Sequence, residues 1–190
     1  MKEGKNGVTA NTPKNILFGA GTIHKGLKYE GSAWNFTESL VGATSGGSKL
    51  SIVPEIFEVP VDGALVSVKG MTVKNGEVAT MEVNFAELSA DIIKAATIGK
   101  DGTSDVTTHD LIESKADIEE GDYWENIAFV GKTLKGENII AILPDVICIS
   151  GFEPEGKNKE GAVVKCTFKC HAEVSSDLDT LPWKIYYPKA

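Results

Sequence analysis

Cysteine is scarce in this chain of 190 residues, and the few cysteines stand close together in its last quarter. There are three, Cys148, Cys166 and Cys170, an odd number that argues against a disulfide framework. Free cysteine is among the most buried residue types and packs as a small apolar side chain. We therefore expect a reduced, cytoplasmically made protein whose core does not depend on disulfides.

Histidine is equally scarce, and residue types suited to catalysis do not cluster. His24, His109 and His171 lie on separate segments, with no partner at a convincing metal-ligand spacing. Cys166, Cys170 and His171 resemble a zinc cluster, but on a strand the histidine points away from the two sulfurs, which lie roughly 13 Å apart. The sequence therefore predicts no metal site, no cofactor and no enzymatic activity.

Two glycine-rich segments lack the patterns that bind phosphate or activate a serine. Gly19, Gly21 and Gly26 fit neither the dinucleotide spacing nor the ending of a phosphate loop. The glycines around Ser45 and Ser48 form no nucleophile elbow. We expect the first segment to be a turn or bulge between short strands.

Long apolar runs and an excess of positive charge are also missing. Residues 139–149 form the longest apolar stretch, which Pro144 and Asp145 interrupt well short of the ~20 residues of a membrane span. The first 15 residues lack the apolar core of a signal peptide, so we expect no membrane anchoring. The net charge of −8 has the wrong sign for clamping nucleic acid. It suits either solubility or a surface that DNA passes without sticking.

The clearest structural signal is the alternation in residues 162–174. Small or apolar side chains occupy every even position, and polar or charged ones occupy every odd position except Val163. Successive side chains of a strand point to opposite faces, so this pattern predicts a long strand with one face on a core. Cys166 and Cys170 share that face with Phe168.

A hairpin and one helix are predicted in the middle of the chain. Lys74-Asn75-Gly76 predicts a turn between strands at 64–73 and 77–85, with a bulge at Gly70. The helix is expected near 90–98, capped by Ser89 and stopped by Gly99. Further strands are expected at 16–18, 34–38, 50–61, 106–112, 123–130 and 137–149, in the last of which Pro144 indicates an edge position or a bulge.

Two segments are predicted to be flexible. Residues 1–13 are polar and end at Pro13, as expected of an N-terminal arm. The second is a loop rich in glycine and serine, either slack or ordered on a partner. It comprises Leu40, Val41, Gly42, Ala43, Thr44, Ser45, Gly46, Gly47, Ser48 and Lys49.

Two further groups of residues leave a binding function open. Trp34, Trp124 and Trp183 are candidates for a sugar-binding platform, although single tryptophans in β-proteins more often serve core or interface. An acidic cluster is a candidate calcium site but lacks the regular ligand spacing, which favours a solvated loop. It comprises Asp117, Glu119, Glu120, Asp122 and Glu125.

The order of these elements resembles the tail tube (major tail) proteins of long-tailed bacteriophages over nearly the whole chain. The resemblance begins with NTPKNILFGAGTIHKG and continues through a long loop to SIVPEIFEVPVDG. It includes the hairpin and helix in KGMTVKNGEVATMEVNFAELSADIIKAA, and it ends in DVICISGFEPEGKNKEGAVVKCTFKCHAEVSSDLDTLPWKIYYP. The lone helix between the hairpin and the later strands is its most specific part.

The resemblance implies a mainly β fold, a β-sandwich or barrel with a single packed helix over residues 14–190. It also implies hexameric rings that stack into a conduit for DNA in the virion, made in the bacterial host cytoplasm. The 40–49 loop would reach an adjacent ring, and the 1–13 arm would order on assembly. Partners would be further copies of the chain and other tail proteins, namely the tape measure, the terminator and the baseplate or tip, with DNA passing non-specifically.

Other functions remain open at this point. A β-sandwich binding module, such as an adhesin or a sugar- or calcium-binding domain, is the main alternative from another class. Within the structural class, a tail terminator or a contractile-tail tube fits the same pattern. The sequence does not identify the lumen-facing residues.

Overall fold

Antiparallel strands dominate the computed structural model, which describes residues 7–156, 158–159, 161–176 and 178–189. The protein is mainly β with a large antiparallel sheet and few helices, which confirms the predicted fold class. Only α3, in the described part of the chain, exceeds four residues among the α-helices.

The elements follow one another with long strands in both halves of the chain. The α-helices are α1 (Thr12–Asn15), α2 (Phe36–Ser39) and α3 (Ala90–Thr97), and a 3-10 turn spans Glu120–Asp122. The strands are β1 (Leu17–Lys25), β2 (Tyr29–Glu30), β3 (Ala33–Trp34), β4 (Thr44–Glu58), β5 (Thr72–Phe85), β6 (Lys100–Gly102), β7 (Leu111–Glu113), β8 (Trp124–Thr133), β9 (Asn138–Cys148), β10 (Val164–Cys170) and β11 (Lys184–Tyr186).

Seven strands form one sheet in the order β1-β8-β9-β10-β5-β4, with β11 also paired to β9. On one edge β9 changes partner along its length: residues 140–142 pair with β11 and residues 146–148 pair with β10. Pro144 lies between these two partners, where a proline removes no pairing on that side. The predicted edge position or bulge is therefore wrong: β9 is a central strand, and Pro144 is tolerated because it pairs with β8 on one side and lies between two partners on the other.

The sheet curls until its two outer strands approach each other. His24 of β1 forms a bridge with Leu40, and the Val41 N–H donates to the Ile23 carbonyl at 3.0 Å, just before β4 begins. The smaller hairpins β2–β3 and β6–β7 lie outside this sheet. The result is a barrel-like wrap around one main core.

The alternation predicted for residues 162–174 is confirmed over β10. Val164, Cys166, Phe168 and Cys170 are buried in the main core, packed with the inward side chains of β5. The strand is shorter than predicted, since it ends at Cys170 and Val174 is 94% exposed. All three cysteines are free, and all are buried.

The helix α3 forms where its capping signals predict it. The Ser89 side chain accepts a hydrogen bond from the Ile92 N–H at 3.3 Å, and Ile92 and Ala96 are buried. The left-handed C-terminal position belongs to Ile98 (φ 51°) rather than to Gly99. Gly99 is needed for space, because a Cβ there would come within 3.0 Å of Ile112 on β7.

The predicted hairpin turn at 74–76 is wrong, because β5 runs through it without a break. Asn75 is instead a bulge: Gly76 pairs with Glu55 and Lys74 pairs with the next residue of β4. The Asn-Gly signal is local, whereas the register is set by pairing along both strands. The true connection is residues 59–71, which replaces most of the strand predicted at 64–73.

The predicted 40–49 loop is also wrong for most of its length, because β4 begins at Thr44. The strand pairs with β5 across a bulge between Thr44 and Ser48. Gly46 and Gly47 both have φ of 84° there, a conformation that glycine adopts without strain. The small residues that suggested flexibility therefore serve the bulge.

Three other predictions need correction or partial correction. The strand expected at 34–38 is the end of β3 followed by helix α2, and the strand expected at 106–112 is reduced to β7. The glycine-rich segment after Phe18 is confirmed as a bulge, in which β1 shifts register against β8 between Phe18 and Thr22. Of the predicted N-terminal arm, residues 1–6 lie outside the described residues.

Candidate interaction surface

A two-stranded ribbon extends from the main sheet and carries the largest run of exposed apolar side chains. We call residues 53–78 the ribbon; it consists of the far half of β4, the connection 59–71 and the first half of β5. β10 pairs with β5 only from Thr80 onward, so among the described strands the ribbon's two halves pair only with each other. Burial in the core begins at Ala79, immediately after the ribbon ends.

Apolar side chains on the ribbon remain in solvent. Leu65 and Val66, at the tip, are 97% and 79% exposed. The exposed set is Val53, Ile56, Phe57, Val59, Val61, Leu65, Val66, Val68, Val73 and Val78. Between residues 59 and 68 the only charged residue is Asp62. Apolar surface of this extent is typical of a site that contacts another macromolecule.

The base of the ribbon is fixed by the carboxylate of Glu77, whose side chain is only 7% exposed. It pairs with Lys74 Nζ at 2.6 Å and accepts a hydrogen bond from the Leu181 N–H at 2.9 Å. The Lys74 hydrogen bond, followed by that of Leu181, holds the pKa of Glu77 below its usual range. Leu181 and Trp183 pack against the main core, so the C-terminal segment anchors the ribbon to the body.

A second apolar surface is an aromatic cleft, defined by Trp34, Tyr186, Tyr187, Glu137 and Asn138. It is open and measures about 410 Å³. The rings of Trp34 and Tyr186 meet edge to face at 5.0 Å, and Tyr187 donates a hydrogen bond to Asn15 at 2.7 Å. These contacts hold the aromatic walls in place. Asn138 Oδ1 is buried and has no hydrogen-bond partner in the described part of the chain.

The ten residues predicted as a contact loop are held mainly by their own chain. The Ala43 N–H donates to the Glu87 carboxylate at 3.0 Å, and the Ala43 carbonyl accepts from Ala86 and Glu87. Val41 packs against the main core. Leu40 and Lys49 keep exposed side chains, so contact of this segment with another subunit stays a prediction.

The candidate sugar platform does not form, because the three tryptophans lie apart. Trp124 is buried in the main core, with its ring 4.7 Å from that of Phe168, and Trp183 packs on another side of that core. Trp34 instead packs against a smaller cluster of buried residues, which includes Leu27 and Ile140. Trp34 lines the aromatic cleft, and Trp124 lines a different, charged cleft beside Lys25 and Asp91.

Three of the five acidic residues, Glu119, Asp122 and Glu125, form ion pairs with lysines, Glu125 with Lys28 at 2.9 Å. Lys115 pairs with Asp122 at 2.7 Å and with Glu119 at 2.9 Å. Glu119 and Asp122 also form a reciprocal capping box on the 3-10 turn. In the described ranges, no group of three or more His, Cys, Asp or Glu side chains has the arrangement that would hold a metal ion.

The buried histidine likewise has a structural environment. His24 Nε2 lies 2.8 Å from Thr22 Oγ1, and Nδ1 lies 2.9 Å from Ser39 Oγ. Ser39 in turn donates to the Asn35 carbonyl, so this pair fastens α2 against β1. The serine and histidine are both buried, which keeps a substrate from reaching them.

Sequence reasoning missed the ribbon although its signal was present. Residues 53–68 include five valines, one isoleucine and one phenylalanine, residue types that are also expected of buried strands. Charged residues at Glu55, Glu58 and Asp62, with prolines at 54 and 60, were the sign that the segment is exposed.

Within the described residues, no helix is both long and apolar enough to cross a bilayer. Comparison with models of known protein families found no match for this chain, and comparison with curated proteins found no match either.

Proposed function

We propose that this chain is a structural subunit that assembles with copies of itself into the tail tube of a long-tailed phage. The ribbon carries the proposal: its apolar side chains have no cover in the described part of the chain, and water contact with them is unfavourable. Association with another subunit would bury them. Such burial is the dominant favourable term in most protein association.

Three further features support a tube subunit. The order of the hairpin, the helix and the closing strands resembles the tail tube proteins. The mainly β fold with few helices agrees with that resemblance. The net charge of −8, with 27 acidic against 19 basic residues, would repel a phosphate backbone that passes along a lumen and so let it pass without sticking. Stacked hexameric rings in the virion, and contacts with other tail proteins, are the finer parts of the proposal.

The direct test is the size and shape of the purified protein as its concentration is raised. We expect rings or hollow tubes by negative-stain electron microscopy, and species larger than a monomer by sedimentation velocity. The variant Ile56→Asp puts a charge on the exposed face of the ribbon and should reduce assembly. Val174→Asp puts the same charge at another exposed β-branched residue, outside the ribbon, and as the control should assemble normally.

A strictly monomeric wild-type protein at millimolar concentration, over a range of salt concentrations, would contradict the proposal. Assembly of Ile56→Asp to the same extent as the control would show that the ribbon is not the contact. Circular dichroism melting curves would establish that each variant is folded before its assembly is compared.

A further inference from the structure

Two apolar surfaces of this chain, the ribbon tip and the aromatic cleft, are both uncovered in a single copy. We propose that the ribbon tip of one copy, at Leu65 and Val66, inserts into the aromatic cleft of a second copy. This inference rests on the proposed self-assembly and identifies the two surfaces that meet.

Charge favours this pairing over most others. Two copies that each carry a net charge of −8 repel each other, so their contact surfaces must be poor in charge. The tip contributes only Asp62 between residues 59 and 68, and the cleft contributes only Glu137 among the residues that line it. Contact between these two surfaces therefore brings few like charges together.

The two surfaces also complement each other in shape and polarity. The tip projects its most exposed apolar side chains outward, whereas the cleft is concave and has walls of tyrosine and tryptophan. Aromatic residues in a pocket are the usual centres of binding energy at protein interfaces. Insertion of a leucine side chain would dehydrate both surfaces at once.

One polar atom at the cleft also lacks a partner within its own chain. Asn138 Oδ1 is buried and accepts no hydrogen bond in the described part of the chain. A buried acceptor without a donor is costly, so a donor that a second copy brings into the cleft would be favourable.

The occupant is a second copy rather than the same chain. Leu65 is 97% exposed, so the cleft of its own chain does not cover it. The Glu77 carboxylate and the packing of Leu181 also hold the base of the ribbon in place. A seven-residue strand from residue 72 to residue 78 spans roughly 24 Å, which carries the tip well clear of the body.

The test uses one variant on each surface and then mixes them. Leu65→Asp removes the apolar tip and Tyr187→Asp alters the cleft; both side chains are exposed, Tyr187 by 56%, so both variants should stay folded. Each variant alone should need about a tenfold higher concentration, or more, to assemble, because each loses the burial of one large apolar side chain. Val174→Asp again serves as the control.

An equimolar mixture of the two variants should form pairs, because one supplies an intact cleft and the other an intact tip. Sedimentation velocity would detect the pair at a concentration at which each variant alone stays monomeric. A mixture that stays monomeric would overturn the inference, as would a Tyr187→Asp protein that assembles like the wild type. If Phe18→Asp blocked assembly while Tyr187→Asp did not, the tip would dock beside the start of β1 instead, which also overturns it. A wild-type protein that never assembles would contradict the proposed function itself.

Discussion

His24 is the buried titratable side chain whose protonation bears most directly on stability near neutral pH. It is 2% exposed, and burial lowers its pKa from the usual 6.5. As the pH falls, His24 is therefore protonated at a higher pH in the unfolded chain than in the folded chain. The stability that this residue provides is fully present above about pH 6.5 and is lost as the pH falls through the lowered value.

We expect the free energy of unfolding, measured by urea titration, to fall between pH 7.5 and 5.5 by more in the wild type than in His24→Gln. His109→Gln, which removes an exposed histidine in the same way, is the matched control. Equal slopes in the wild type and His24→Gln would show that other groups govern this pH range.

The cysteines make a second prediction at the residue scale. Cys166 is fully buried in the main core, and its hydrogen bond with the Cys148 thiol, followed by burial, raises the pKa of its thiol. Burial raises the pKa of Cys170 to about 12. Cys166→Ala and Cys170→Ala should each lower the free energy of unfolding by about 1 kcal/mol, the cost of a small cavity. Stoichiometric zinc in the purified protein, lost in either variant, would contradict a purely structural role.

At the scale of elements, the accuracy of sequence reasoning depended on how local each signal was. β10 and α3 formed as predicted, because alternation and capping operate within a few residues. The predictions of a turn at Asn75-Gly76 and of a loop at 40–49 failed, because β4 pairs with β5 through both segments, with one bulge at Asn75 and another between Thr44 and Ser48. Neither the ribbon nor the cleft was predicted. The ribbon depends on which strands lack a further partner, and the cleft depends on residues far apart in the sequence, such as Trp34 and Tyr186, lying side by side.

Because β4 begins at Thr44, shortening this strand and shortening the 59–71 connection should affect the protein differently. Removing residues 44–48 takes away the first strand residues of β4 beside the core, so the deletion should strongly lower the melting temperature. Replacing residues 59–71 with a short turn removes only exposed chain, which should leave the melting temperature nearly unchanged while assembly is lost. Thermal melts and sedimentation velocity together check both results. A stable 44–48 deletion would show that the start of β4 is dispensable.

At the scale of the whole molecule, charge and apolar surface act against each other. Repulsion between copies of net charge −8 opposes assembly, and salt screens it over about 10 Å at 0.1 M. Burial of apolar side chains does not depend on that screening. We therefore expect the concentration needed for assembly to fall as sodium chloride rises from about 0.02 M to about 0.5 M. A rise over the same range, seen by light scattering, would instead indicate that ion pairs hold the subunits together.

The position of the ribbon outside the core has a consequence for how the protein tolerates sequence change. Its tip makes almost no contact with the rest of its own chain, so substitutions there should have little effect on the free energy of unfolding. In β10 and the inner half of β5, nearly every second residue is buried, so substitutions at those positions should destabilise the fold. The chain thus separates into one part that must fold and another that must fit its neighbour, and partner choice can change by altering the second without disturbing the first.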